Sequence, residues 1–258
     1  MRCVRHSPSW AGKPPRPFTD SLVSDPCCSE QPSLIVVVRT LHLICLAESR
    51  AQAEGRYEVG GEGELTALGR RQTDELARRL AARPPLAVWS SPAQPSLEMA
   101  QLLVQAVAAE PALPIVSDAD LAEIDYGAWA GLTRMEVAAR WPAAVASWER
   151  EPTSMSLPGG EAIEAARQRG LASLERIRHA HASGAIAILT QGVMQRLLLA
   201  HFLGLPLAAL WTLETLPAAL CTVEDHDNPV ILAINDGGHL KTVRSRFDVQ
   251  VHRDDRSR

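Results

Sequence analysis

The chain has 258 residues, 46% hydrophobic and 22% charged, with 26 Lys and Arg against 30 Asp and Glu, a formal charge of −4. That length and balance suit one domain with tails, and they exclude a disordered chain. They also argue against nucleic acid or an anionic membrane as partner, because no dense Lys/Arg stripe is present. Residues 1–36 open the chain with six prolines before position 33 among scattered Ser, Cys and Arg. A segment without helical or strand period does not repay its ordering entropy, so it reads as a disordered extension, or as translated upstream sequence with the natural start near Val36 to Thr40. The five cysteines, Cys3, Cys27, Cys28, Cys45 and Cys221, form neither a disulfide framework nor a CxxC zinc site. Reduced thiols and a cytoplasmic protein without metal or cofactor are expected.

The apolar run Leu34 to Ala47 is interrupted by Arg39 and His42 and is too short for the ~20 residues a bilayer span needs. It is expected to hold the first buried strand. Thr66 to Arg83 then reads as an amphipathic helix with Thr66 as its cap. Leu86 to Ser90 is a short strand, Ser96 to Ala109 a helix, and Ile115 to Ser117 a small strand. Thr133 to Arg150 and Glu161 to His181 predict two more helices, the second opened by the turn Leu157-Pro158-Gly159-Gly160. Ala185 to Leu189 is a continuous apolar strand followed by the helix Val193 to Leu203. Ala218 to Glu224 and Val230 to Asn235 predict two strands around Asp227-Asn228-Pro229. This order implies an α/β three-layer sandwich, a mostly parallel central sheet with helices on both faces and antiparallel strands at one edge. The domain is expected over 37–243, with a polar tail at 244–258 that frays or adds a short edge strand around Phe247, Val249 and Val251.

Such an architecture places working residues at the carboxyl ends of its strands. Four places there resemble the histidine phosphatase (phosphoglycerate-mutase-like) superfamily. Its opening Arg-His-Gly-Glu-Ser/Thr reads Cys45-Leu46-Ala47-Glu48-Ser49, with the usual ten-residue step to Gly55-Arg56-Tyr57. Its Ser-Ser-Pro-Leu-x-Arg-Ala corresponds to the run from Ser90, with the arginine falling on Pro95. Its Leu-x-Glu-x-x-Phe/Tyr-Gly-x-Trp-Glu-Gly is close to Leu121 through Gly131, with Glu123 retained at the proton-donor position and Ala130 replacing glutamate. Its Ser-His-Gly-Gly reads Thr190-Gln191-Gly192-Val193. Leu65-Thr66-x-Leu68-Gly69 with Gln72, the turn Pro158 to Glu161, Leu203 to Pro206, Asn235-Asp236 and His239-Leu240 match in order as well.

The resemblance implies two histidines and two arginines around a phosphoryl group, one imidazole attacking phosphorus and the other groups neutralising charge. Here the four positions are Cys45, Leu46, Pro95 and Gln191, none cationic and none a ready nucleophile. A phosphate dianion without a positive partner costs many kcal/mol, and helix N-termini typically return only ~0.3–2 each. The leading expectation is therefore a pseudophosphatase. Its pocket, lined by Leu46, Ala47, Pro95, Gln191 and Glu123, with Glu48, Ser49, Arg56 and Gly192 beside them, would bind a small metabolite or a protein partner. The alternative is a phosphomonoesterase or phosphomutase; a third reading is a structural subunit, and a homodimer fits any of these. Glu123 either hydrogen-bonds loop backbone or contacts a ligand. Arg56 reads as a solvated surface arginine, and Glu48 and Ser49 as caps of the next turn. Cys45 at a strand end invites a thiolate, yet the next arginine, Arg50, is one residue too early for a C-x5-R phosphate loop, and a buried thiol is the preferred reading. His42 lies about 13 Å from the working end of its strand at ~3.3 Å per residue, and His179, His181, His201 and His239 read as structural.

Overall fold

A computed structural model describes residues 38–107, 112–154 and 157–243. The expected extension 1–36 and tail 244–258 lie outside the described residues. Six strands, β1 (Arg39–Cys45), β2 (Ala87–Ser90), β3 (Ile115–Ser117), β4 (Gly184–Thr190), β5 (Leu220–Asp225) and β6 (Val230–Asp236), form one sheet in the order β3-β2-β4-β1-β5-β6. The first four in that order run parallel, and β5 joins β1 antiparallel, with β6 antiparallel to β5. The expected mostly parallel sheet with an antiparallel edge is therefore present.

Side-chain alternation divides two hydrophobic cores between the two faces of the sheet. Leu41 and Leu43 of β1, Ala87 and Trp89 of β2, and Ile186 and Ile188 of β4 join one core with helices α6 (Ile163–Ala180) and α7 (Gly192–Leu203). Ile44, Val88, Ala187 and Leu189 join the other with α2 (Ala67–Ala81) and α3 (Gln94–Val107). Strands this apolar on both faces can only be central, since each side needs a layer of helices to keep water off it. Burying one such aliphatic side chain is worth roughly 1.5–3 kcal/mol, so these two cores hold the strand ends in register.

Local chemistry sets the helix ends. The Thr66 hydroxyl accepts from Gly69 N at 3.0 Å and starts α2, as the sequence indicates. Gly69 is required there, because a Cβ would sit 2.2 Å from Glu48 O, and that contact seats α2 against the loop leaving β1. Thr133 and Glu136 form a reciprocal capping box at α4 (Arg134–Arg140). The helix expected over 133–150 is in fact two, since α5 (Pro142–Arg150) follows after Trp141 turns to φ −135°, ψ 58°. Pro142 disfavours helical backbone in the residue before it while suiting the first helical position itself, which breaks one helix into two. For the same reason α3 starts earlier than expected, with Pro95 in its first turn.

Candidate functional site

The parallel strands β1 and β4 finish side by side, Cys45 opposite Thr190, and the chain leaves them in two directions. After β4, Gln191 turns directly into α7. After β1, residues 46–49 lead into a one-turn helix, α1 (Arg50–Ala53), capped by the Ser49 hydroxyl accepting from Gln52 N at 3.2 Å. Above these strand ends lies a cavity of about 520 Å³. It is walled by Cys45, Glu48, Tyr57, Glu58, Glu123, Tyr126, Gln191, Gly192 and Arg196, with Glu54, Arg56, Arg134 and Glu214 also lining it.

The structure brings Cys45, Glu48, Arg56, Glu123, Gln191 and Gly192 together at this cavity and leaves the other expected residues out. Leu46 and Ala47, both fully buried, belong to the core beneath α2 and α3. Consecutive strand residues face opposite ways, so Cys45 and Leu46 do not share one wall. Ser49 is spent on capping α1, and Pro95 is buried in the first turn of α3. Arg56 is tied at the mouth: its guanidinium pairs with Glu54 at 3.0 Å and donates to Gly131 O at 2.9 Å. Among the described residues lining the cavity there is no histidine. His42 instead lies 3.3 Å from the Thr222 hydroxyl within the sheet, and His239 Nε2 lies 3.0 Å from Ala218 O.

Glu123 has a definite task. Its Oε2 accepts from Val193 N at 2.9 Å, and its Oε1 from Met194 N at 3.2 Å and from Ile124 N at 2.8 Å. The carboxylate thus sits on the N-terminus of α7, where exposed N–H groups and the helix dipole favour an anion. Its own loop is fixed by Arg169, which donates to the carbonyls of Asp120, Ala122 and Glu123 at 3.0, 2.7 and 3.0 Å while pairing with Glu161 at 2.8 Å. Burial pushes the Glu123 carboxyl up, and the three N–H bonds oppose that rise without cancelling it.

Sequence reasoning missed Glu58, Tyr57, Tyr126, Arg134 and Arg196. Arg196 matters most, because the four replaced positions suggest a site without cations and this arginine restores one. It donates to Leu213 O at 2.7 Å and lies 5.7 Å over the Trp211 ring, with burial drawing its pKa down. A lone arginine in the apolar run Val193 to Leu203 was a legible signal for it. Glu58 is partly buried, and burial aided by the Glu123 charge pushes its carboxyl up to about 8, with the Gln191 amide pulling the other way. Nothing in the sequence around Glu58 reveals that depth. Burial also pushes the Cys45 thiol up to about 12, which removes the thiolate and leaves a space-filling role. Among the described residues no group of His, Cys, Asp and Glu is arranged to hold a metal ion, and no helix is long and apolar enough to cross a membrane.

The model of the histidine phosphatase superfamily (branch 1) matches residues 41–237. Phosphoserine phosphatase 1 of Hydrogenobacter thermophilus is 27% identical over 215 residues, covering 83% of this chain and 98% of that protein. The bifunctional protein Rv2228c of Mycobacterium tuberculosis is 30% identical over 203 residues, 78% of this chain but only 54% of its own length. Among solved structures, YhfR of Bacillus stearothermophilus superposes with a TM-score of 0.74 at 27% identity, covering 79% of this chain and all of that one.

Proposed function

Since the chain belongs to the histidine phosphatase superfamily (branch 1), we propose that it keeps the family's pocket as a ligand-binding site and has given up phosphoryl transfer through a protein-bound phosphohistidine. One observation carries this reading: among the described residues no imidazole lines the cavity. The side chains at the ends of β1 and β4 offer no substitute. Leu46 has no lone pair, Gln191 is not basic, and a Cys45 thiol held near 12 leaves about one molecule in a hundred thousand as thiolate at pH 7. Glu58, protonated at neutral pH, has a pKa suited to a general acid, but the wall supplies it no side-chain nucleophile with which to form a covalent phosphoenzyme.

Turnover of p-nitrophenyl phosphate from pH 4 to 9, with Glu123→Ala and Glu58→Gln as controls, tests the proposal. Rates equal to both controls are expected. Sustained turnover that either substitution abolishes would refute it.

The second reading, phosphomonoester hydrolysis, is the one the comparisons favour. Phosphoserine phosphatase 1 is named for that activity and matches over nearly its whole length. Arg196 in the cavity wall supports it too, as a cation that an anionic substrate needs. A purely structural subunit is separated from both by light scattering, where a monomer removes it.

A further inference from the structure

The cavity wall holds a buried acceptor with no partner among the described residues. Gln191 is 1% exposed, lines the cavity, and its Oε1 makes no hydrogen bond to any described residue. A buried amide oxygen left unpaired is unfavourable, because it has given up water and gained no donor, and a ligand donor that reaches it from the cavity side restores the bond. Glu58 adds a carboxyl beside the same amide. The rings of Tyr57 and Tyr126, 4.8 Å apart, form part of the wall, and aromatic faces attract cations. These three features want a donor that carries positive charge.

The cationic side chains nearby do not fill that demand. The Arg196 Nε is committed to Leu213 O and its guanidinium lies over Trp211, while its charge is set against that of Glu123. Arg56 is held by Glu54, with Glu136 at 3.6 Å. Arg134 is exposed on the cavity wall. An anion at the inner end faces a further obstacle, because Glu123 already occupies the N–H groups of Val193 and Met194.

We propose that the inner end of this cavity binds a small organic ammonium, with Gln191 Oε1 and the Glu58 carboxylate as acceptors and Tyr57 and Tyr126 as its aromatic wall. The proposal rests on the reading that the pocket has left phosphoryl transfer for ligand binding. A primary ammonium has three donors and no acceptor, which suits a site offering oxygens and π faces. Glu58 must ionise to receive it. At neutral pH most molecules carry the proton, so binding releases it, and affinity is expected to rise with pH until Glu58 is ionised in the free protein.

The test titrates the full chain with n-butylammonium and, separately, with butyl phosphate, following amide resonances by NMR at pH 6, 7, 8 and 9. Expected are saturable ammonium shifts, an affinity that tightens close to tenfold per pH unit below about 8 and then levels, and little response to butyl phosphate. Glu58→Gln should weaken ammonium binding at pH 8 at least tenfold and flatten its pH profile. Gln191→Met removes the unpaired acceptor by another route and should weaken binding several-fold without flattening the profile. Tighter binding of butyl phosphate than of butylammonium overturns the proposal and favours the hydrolase reading. Binding of neither probe overturns it as well, while leaving the loss of phosphoryl transfer to the separate turnover measurement. Ammonium binding unaffected by either substitution places it elsewhere and also overturns the proposal.

Discussion

Replacing Glu58 with Gln should change how stability depends on pH, in a direction opposite to that of an ordinary surface carboxylate. Burial and the neighbouring Glu123 raise its pKa from 4.5 to about 8, and Gln191 opposes them. The folded protein therefore holds this proton more tightly than the unfolded chain. Its contribution to stability is full below about pH 4.5 and is lost as pH rises, at ~1.4 kcal/mol per unit, until about pH 8. Across that window the loss is ~3–5 kcal/mol, with the lower end allowing for water reaching a carboxyl that is not wholly enclosed. Glu58→Gln keeps shape and removes the titration, so it should gain that amount on wild type between pH 5 and pH 9. The other shifted groups cancel in the comparison or act elsewhere. Asp118, Asp225 and Asp236 are held below the usual carboxylate range, so their contributions are complete above pH 5. Burial lowers His42, His181, His201 and His239, which adds stability as pH rises in both proteins alike. Glu123 shifts in the same direction as Glu58 and remains in the variant. Urea unfolding of both proteins at five pH values gives the difference curve. Parallel curves would show that Glu58 ionises as in free solution and would refute the reasoning.

Two further predictions concern the walls of the site. Cys45, shifted from 9.0 to about 12, should react with iodoacetamide about a thousandfold more slowly in the native protein than in 6 M guanidinium; mass spectrometry of the labelled peptide reads this, and fast native labelling would restore the thiolate reading. Arg169→Met removes three carbonyl contacts and the pair with Glu161, and is expected to cost ~2–4 kcal/mol in chemical unfolding while raising hydrogen exchange at Val193 and Met194, whose N–H groups lose a fixed acceptor. Unchanged exchange there would mean that Glu123 holds its place without Arg169.

How far the sequence could be read depended on whether a residue's neighbours are local. The strands were legible because buried parallel strands are apolar throughout, as in Ala185 to Leu189, and Thr66 was legible as a cap because its partner, Gly69 N, is three residues away. The break at Trp141 was also written locally, in Pro142, but the continuous helical periodicity around it masked it. The site was harder. A period-two count along β1, carried one residue past its end, separates Cys45 from Leu46, since Leu41 and Leu43 enter one core and Ile44 and Leu46 the other. Motif matching treats the two as one unit and so placed both in the pocket. Arg196 was legible as a lone arginine in an apolar run, but its pairing with Glu123, and that of Glu58 with Gln191, were not, because they arise only when the loop after α1, the start of α7 and the loop from Leu121 to Gly131 meet.

Glu123 shows how the two readings of function differ physically. Motif resemblance gives it a proton-donor role, which needs an available oxygen pointing at the leaving group. Here three backbone N–H groups take up both oxygens. Two of them, those of Val193 and Met194 at the start of α7, are also a natural seat for an anionic ligand. A phosphate monoester seated on these two groups would therefore have to displace the carboxylate, and Arg169, grasping the carbonyls of Ala122 and Glu123, resists that movement. A cation meets no such competition. It leaves Glu123 on its helix, takes Gln191 Oε1 and the Glu58 carboxylate, and lets Glu123 and Arg196 go on balancing each other. A phosphate seated on those two N–H groups requires the capping carboxylate to swing away, whereas the proposed ammonium site requires Glu58 to lose a proton.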